Sequence, residues 1–390
     1  MKTVAVFTSS RSDWGILTVL VDALVQDESI EVTVLAGGSH FDPVFGNTID
    51  EVKEKYPEIV VGINSGPVGD TPEEAARMAG KLLEMTGKSL AEIGPDCLII
   101  LGDRFEALSC AISALLNSIP ILHIHGGEIT TGAIDDAVRH SISKIARFHF
   151  PVHHEYRDRL LQLGEEPGSV SVVGSLAVEA LENQNLNVFG ESGSYFPDKV
   201  PENFYVCAVH PVTTSPGETE EILNALEPIF LSDPSVSVFL TSPAPDPGHQ
   251  LIQDRYDDWC ARRPETFSFQ KSLGSKKFLS LVSSSRALVG NSSSGLLEAP
   301  SLGVPTINLG SRQDGRIRAE SIVDSSPDPD SVRAAFAKIN SPEFQDFARR
   351  VVNPLRGAAP SRTIVEFIKQ TEFSVLAPKK FIDWEPHVDS

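Results

Sequence analysis

Short runs of β-branched and aliphatic residues alternate along this chain with longer segments whose apolar positions recur every three or four residues. The runs at 4–7, 32–36, 97–101, 119–123 and 148–152 are apolar at nearly every position, the pattern of strands buried on both faces. Between them the spacing predicts helices over 16–26, 72–93 and 135–147. Such alternation reads as a parallel sheet covered by helices on both sides. The rhythm breaks at 183–203, a stretch of Asn, Gly, Ser and Pro with the composition of a linker, and restarts with strand-like runs at 204–209, 236–240, 287–289 and 306–309. The predicted class is therefore α/β, with two Rossmann-like domains facing across a cleft. Residues 1–185 form the first domain, 186–202 the linker, 203–370 the second domain, with its last helix expected to pack back on the first. Residues 371–390 form a C-terminal extension, packed on the surface or partly mobile.

Size and charge narrow the function classes. At 390 residues the chain exceeds what a single core supports, and 41% apolar residues suffice for two ordinary cores. The formal charge of −20, from 33 basic and 53 acidic residues, argues against nucleic-acid or membrane-surface binding, since both need a positive field. An anionic substrate would have to be held by a local basic pocket. Met1 leads straight into a strand-like run, and no stretch of roughly 20 uninterrupted apolar residues exists, so a cytoplasmic protein without a membrane span is expected. Cys97, Cys110, Cys207 and Cys260 are far apart and read as thiols of a reducing compartment.

Four segments at predicted strand ends could carry chemistry. In Thr8-Ser-Ser-Arg-Ser-Asp-Trp-Gly15 the small residues and Arg11 suit a phosphate, although a plain helix cap by Ser12 or Asp13 fits as well. Asp103 and Arg104 place an acid and a guanidinium at the cleft edge. His123 and His125 alternate along the next strand. A shared metal is the weaker reading, because no third soft ligand stands at a recognisable spacing. The glycines after His125 let backbone approach a ligand, while Glu128, Asp135 and Asp136, with Arg139 one turn on, gather the carboxylates that proton abstraction from carbon requires. One of Asp135 and Asp136 is expected to act only as a helix cap. In Gly290-Asn-Ser-Ser-Ser-Gly295, a serine-rich turn opens a helix and offers a phosphate cradle, with Glu298 two turns inside and within reach of a ribose diol.

Taken together these motifs resemble the UDP-N-acetylglucosamine 2-epimerase family, and more specifically its hydrolysing branch in sialic-acid-type sugar synthesis. The resemblance runs from Met1 to about Phe367 and rests on Ser10-Arg-Ser-Asp13, Gly102-Asp-Arg104, His123-Ile-His-Gly-Gly-Glu128, Ala133-Ile-Asp-Asp136, Val209-His-Pro-Val-Thr-Thr214, Gly290-Asn-Ser-Ser-Ser-Gly295 and Asn308-Leu-Gly-Ser-Arg-Gln313, in that order. It implies a GT-B-like pair of Rossmann domains, no metal and no cofactor, a sugar-nucleotide substrate with UDP as product, and a homo-oligomer, dimer or tetramer. It further implies that Arg11, Arg104 and Arg312, with Ser292, Ser293, Ser294 and Gly295 of the serine turn, hold the diphosphate. Glu298 would bind the ribose, Phe278 would stack near the base, and Arg139 and Asp246 complete the substrate contacts. His210 would stand beside the leaving diphosphate, and Asp103, Glu128 and Asp135 would handle protons on the sugar. The implied reaction is elimination across C1 and C2, then addition of water with inversion at C2. The two domains are expected to close over substrate.

Three positions depart from the family pattern. His125 stands where many relatives carry glutamate, which leaves His125, Glu128 and Asp135 all open as the base. Trp14 replaces a tyrosine, and Pro243-Ala-Pro-Asp-Pro-Gly248 replaces a Pro-Asn-Ala-Asp loop, leaving UDP or GDP open. A 2,4-diacetamido sugar nucleotide, a non-hydrolysing epimerase, a glycosyltransferase of the same fold and a non-enzymatic binder are the alternatives. The acids and His210 weigh against the binder, which gains nothing from buried like charges.

Overall fold

A computed structural model describes residues 1–183, 201, 203–232, 236–244, 246–270, 273–376 and 378–383. The expected linker lies, apart from Pro201, outside the described residues. The N-terminal lobe holds β1 (Lys2–Thr8), β2 (Ile30–Ala36), β3 (Val60–Gly62), β4 (Cys97–Leu101), β5 (Ile121–Ile124) and β6 (Phe148–Phe150). The C-terminal lobe holds β7 (Phe204–Ala208), β8 (Ser237–Thr241), β9 (Phe267–Gln270), β10 (Ala287–Gly290), β11 (Thr306–Leu309) and β12 (Ile322–Ser325). Both sheets pair in parallel, in the orders β3-β2-β1-β4-β5-β6 and β12-β11-β10-β7-β8-β9. Counted within its own lobe, each sheet has the Rossmann order 3-2-1-4-5-6. The chain reverses direction beside β1 and β4 in one lobe and beside β7 and β10 in the other. Ligands of such sheets bind at that reversal, outside the carboxyl ends of the strands.

Local sequence accounts for the boundaries. The helix Pro72–Ile93 opens with a reciprocal cap between Thr71 and Glu74, has Pro72 in its first turn and stops at Gly94 in the left-handed region. The first helix begins at Arg11 rather than Ile16, because the Ser10 side chain accepts from the Asp13 N–H; the cap is neither Ser12 nor Asp13. β6 ends at Phe150, since Pro151 has no N–H to give to the ladder. β5 starts two residues later than its apolar pattern suggests, beyond Pro120, and ends one residue later.

Each lobe buries its own apolar layers. The helix Pro360–Gln370 crosses back to the N-terminal lobe, where Ile364, Val365 and Ile368 join the core under β1 and Phe367 meets Phe148 and Phe150 edge-on at 4.8 and 5.2 Å. Further on, Lys379 Nζ pairs with Glu165 at 2.6 Å and donates to the carbonyls of Lys144 and Ala146, at the end of the helix Asp135–Ile145. No helix among the described residues is long and apolar enough to cross a membrane.

Candidate active site

Connections leaving the carboxyl ends of both sheets converge on one cavity of about 240 Å³. The N-terminal lobe contributes Ser10, Arg11, Ser12 and Asp13 after β1, Ser39 after β2, Asp103 and Arg104 after β4, and His125, Glu128, Thr130 and Asp135 after β5. The C-terminal lobe contributes His210 after β7, Ser242 to Ala244 after β8, Ser292 to Ser294 after β10, and Arg312, Gln313 and Arg316 after β11. These positions are far apart in sequence and adjacent only because both sheets present the same edge.

Asp103 is held from two sides. Arg139, with no solvent exposure, pairs with it from behind, and Arg316 of the other lobe lies 3.3 Å away. Burial alone would raise this carboxyl; the two guanidiniums outweigh it and keep Asp103 well below the usual carboxylate range. Glu128 shares Arg316 at 3.3 Å and accepts from His125 Nδ1 at 2.7 Å. Burial is again overcome, here by Arg316 and His125, and Glu128 is brought down to about 2. Asp135 goes the other way. Burial, reinforced by the like charges of Asp103 and Asp246, pushes it up to about 7 against the pull of Arg312 at 3.9 Å. The site thus holds two firmly ionised acids and one that can carry a proton near neutrality.

The two cavity histidines are wired in opposite senses. His125 follows β5 with φ at +66°, in the left-handed region, and its Nδ1 donates to Glu128. Its Nε2 is buried and has no hydrogen-bond partner. His210 instead accepts the Ala244 N–H at Nδ1, at 2.8 Å, so a neutral ring carries its proton on Nε2. Burial and the neighbouring Arg312 lower His210 to about 3, keeping it neutral. Asn291 joins β7 to β10 behind it, accepting from the His210 N–H at 2.7 Å and donating to its carbonyl at 2.9 Å. The Asn291 carbonyl in turn receives Arg312 at 3.2 Å and Gln313 at 2.9 Å.

Several residues expected in the substrate site take other places. Arg139 does not line the cavity; its zero exposure makes it the support of Asp103. Phe278 packs against the core cluster of Phe204, Val206 and Phe239 and does not line the cavity. Gly295 lies against β11, where its carbonyl accepts from Thr306 and an added Cβ would stand 2.6 Å from the Thr306 methyl group. Glu298 is not two turns inside a helix, because Ser294–Leu297 is a single turn and Glu298 ends it. The dipole of one turn is slight, so what this turn can offer an anion is chiefly its serine hydroxyls. Glu298 is pushed up to about 7 by burial, and its Oε2 is buried without a partner. Arg104 lines the cavity but spends its fork on Glu106 at 3.0 and 3.2 Å and on Asp246 at 3.2 Å. Asp246 thereby ties the two lobes through Arg104, and it also lies 3.7 Å from Arg312 of its own lobe.

His123 and His125 do not share a face. His123 is fully buried, bonded through Nε2 to the Gly102 carbonyl at 2.7 Å and through Nδ1 to Ser143 at 3.1 Å, and burial lowers it to about 3. Of Asp135 and Asp136, it is Asp136 that takes the local role, accepting from the Thr130 N–H at 2.6 Å.

Arg316 was not singled out by the sequence reading. Its signal is Gln313-Asp-Gly-Arg316 just past the β11 motif, where Gly315 at φ +87° turns the chain so closely under Ile129 that a side chain would collide.

Two Rossmann-ordered sheets with acids on one facing edge and hydrogen-bond donors on the other define a two-domain α/β architecture with one cavity between its sheet ends. Comparison with known proteins narrows this. The family model described as UDP-N-acetylglucosamine 2-epimerase matches residues 22–369. The chain is 32% identical over 383 residues to the GDP/UDP-N,N'-diacetylbacillosamine 2-epimerase (hydrolyzing) of Campylobacter jejuni, covering 98% of this chain and 99% of that one. It is 30% identical over 391 residues to the UDP-N-acetylglucosamine 2-epimerase of Neisseria meningitidis, covering 98% and 99%. In fold it resembles the crystal structure of UDP-GlcNAc 2-epimerase from Neisseria meningitidis bound to UDP-GlcNAc, with a TM-score of 0.77 at 18% identity over 95% of this chain and 100% of that one. The chain belongs to the UDP-N-acetylglucosamine 2-epimerase family.

Proposed function

We propose that this chain is a hydrolysing 2-epimerase that converts a UDP-linked 2-acetamido sugar and water into UDP and the free 2-epimer. UDP-N-acetylglucosamine giving N-acetylmannosamine is the leading substrate and product pair. The observation that carries the reading is the opposition, across one cavity, of Asp103, Glu128, Asp135 and His125 to His210, Arg312 and the serine turn.

A proton on C2 beside the anomeric carbon leaves as the C1–oxygen bond to the diphosphate breaks, and the electron pair goes with the diphosphate. His210, free to donate from Nε2, and Arg312 line the cavity and support the reading that they stabilise this charge. Arg11 and the hydroxyls of Ser292 and Ser293 line the same cavity. Water then adds at C1 of the acetamido-glycal and a proton arrives at C2 on the face opposite the one that lost it. One water is consumed, and UDP and a free sugar are formed. Inversion at C2 requires one group that takes a proton and another that gives one, and the unequal protonation of the cavity acids supports both roles.

A second reading is favoured by the Campylobacter relative, whose name specifies a diacetylated bacillosamine substrate and hydrolysis. There the same reaction would act on a UDP- or GDP-linked 2,4-diacetamido-6-deoxy sugar. Proton NMR of the full chain with each sugar nucleotide in deuterated water separates the cases. Free sugar deuterated at C2, with nucleoside diphosphate released, is expected; epimerised sugar still attached to its nucleotide would overturn the hydrolytic reading.

A further inference from the structure

We propose that His125, acting through Nε2, is the base that removes the C2 proton, and that Glu128 is the positioning residue that holds it in the required tautomer. The inference deepens the epimerase reading and rests on it.

The argument begins with what each candidate has already bound. Asp103 lies between two guanidiniums, Arg139 and Arg316, both on its Oδ2, and their charge holds it ionised and weakly basic. Glu128 is occupied by Arg316 and His125. A carboxylate saturated by cations is a poor proton acceptor from carbon. His125 differs. A carboxylate can only accept, so the 2.7 Å contact from Nδ1 places the ring proton there, and the lone pair of a neutral ring is left on Nε2. That nitrogen is buried and unpartnered in a residue that lines the cavity, an arrangement with a cost unless a ligand completes it. The backbone is equally committed. His125 is one of three non-glycine residues with positive φ among those described, directly after the last residue of β5.

The charges around the ring come from both lobes: Glu128 from its own connection, Arg316 from beyond β11, and the Glu298 carboxyl from beyond β10. Once His125 has taken the proton, Glu128 faces an imidazolium and stabilises it, as the acid of a hydrolytic triad does. Asp135, which carries a proton near neutrality, is the remaining cavity acid able to return one to C2. The balance is then complete: the C2 proton goes to Nε2, the C2–H electron pair becomes the C1=C2 bond and the C1–oxygen pair leaves with the diphosphate. Asp135 then gives its proton to C2 while water adds its hydroxyl at C1 and its other proton restores Asp135. His125 gives up the proton it took to the released UDP or to solvent.

The test compares His125→Asn, His125→Glu and Glu128→Gln in the full chain, using whichever sugar nucleotide the unmodified protein turns over. Asparagine tolerates the left-handed backbone, and circular dichroism checks folding. His125→Asn is expected to lower kcat about 10³-fold, within the usual contribution of a general base, with UDP affinity by calorimetry within about twofold. His125→Glu is expected to recover part of that loss, with the acidic limb of the kcat profile moved to lower pH, because a carboxyl ordinarily titrates below an imidazole. Glu128→Gln is expected to lower kcat with KM spared and to move the same limb. Retention of kcat within fivefold by folded His125→Asn, with C2 deuterium still incorporated, would overturn the proposal and leave the epimerase reading intact. If instead the unmodified protein turned over none of the 2-acetamido sugar nucleotides, that reading itself would fail.

Discussion

The two facing edges of this molecule share a strand order and carry opposite chemistry. On the N-terminal edge, carboxylates crowd around His125, whose Nδ1 donates and whose Nε2 is bare. On the C-terminal edge, His210 accepts at Nδ1 from a backbone N–H and presents Nε2–H, with Arg312 and serine hydroxyls beside it. One edge can take protons and the other can stabilise a departing anion. In the reaction proposed above the same residue type would serve both ends, and in each case the partner of Nδ1 decides which. Neither edge works alone, because Arg316 crosses from the second lobe to set the ionisation of Asp103 and Glu128 in the first.

The largest test of this division falls on the acid edge. Asp103→Asn should lower turnover by about 10²-fold or more while UDP binding measured by calorimetry is spared, because Arg316, which Asp103 anchors, then no longer fixes Glu128 behind His125. It also takes from buried Arg139 one of its two anions, leaving Asp136 at 3.5 Å, so a loss of about 1–3 kcal/mol in stability should accompany it in chemical denaturation. Loss of UDP binding as well would mean that Asp103 belongs with the donors. On the donor edge, His210→Asn should lower kcat by about 10²-fold, since one preorganised donor to a developing anion is removed. An effect confined to KM would place His210 outside the chemistry.

Arg312→Ala should mainly weaken UDP binding, by about tenfold to a hundredfold, as a charge-assisted contact of about 1.5–3 kcal/mol is lost. If kcat fell while UDP affinity held, the donor edge would be wrongly described. The smallest expected effect, and the one that probes the link between lobes, is Arg316→Ala. Removing the cation raises both Asp103 and Glu128 toward ordinary carboxyl values. Stability follows the same sign. A carboxyl depressed in the fold contributes stability above its unfolded value near 4.3, lost as pH falls toward the folded value of about 2 for Glu128, so the variant should unfold in acid at a higher pH than the parent. An unchanged acid transition, followed by circular dichroism, would show that Arg316 does not hold these acids.

The sheet interiors were legible in the chain and most of their edges were not. β1, β2, β4 and β5 in one lobe and β7, β8, β10 and β11 in the other all coincide with apolar runs. The three strands without a run in the reading, β3, β9 and β12, are all edge strands. β3 is only Val-Val-Gly with two exposed positions, and β12 carries an exposed aspartate, so neither has the two-sided burial that makes a continuous apolar pattern. The site divides in a similar way. Asp103, Glu128, Asp135, His125, His210 and the serine turn follow strands and were found as motifs. Arg316 and the inward turn of Arg139 were not, because each is defined by a partner more than 30 residues away.

The sequence by itself determined the parallel α/β class, the break between two repeats of it, and the chemistry waiting at the strand ends, because hydrophobic periodicity and turn residues act over a few positions. Only the tertiary structure decided which carboxylate would be ionised, which histidine nitrogen would stay bare, and which arginine would reach across the cleft. Those properties depend on burial and on charges brought together from both sheets, and electrostatic interactions between groups so far apart in the chain leave no pattern along it.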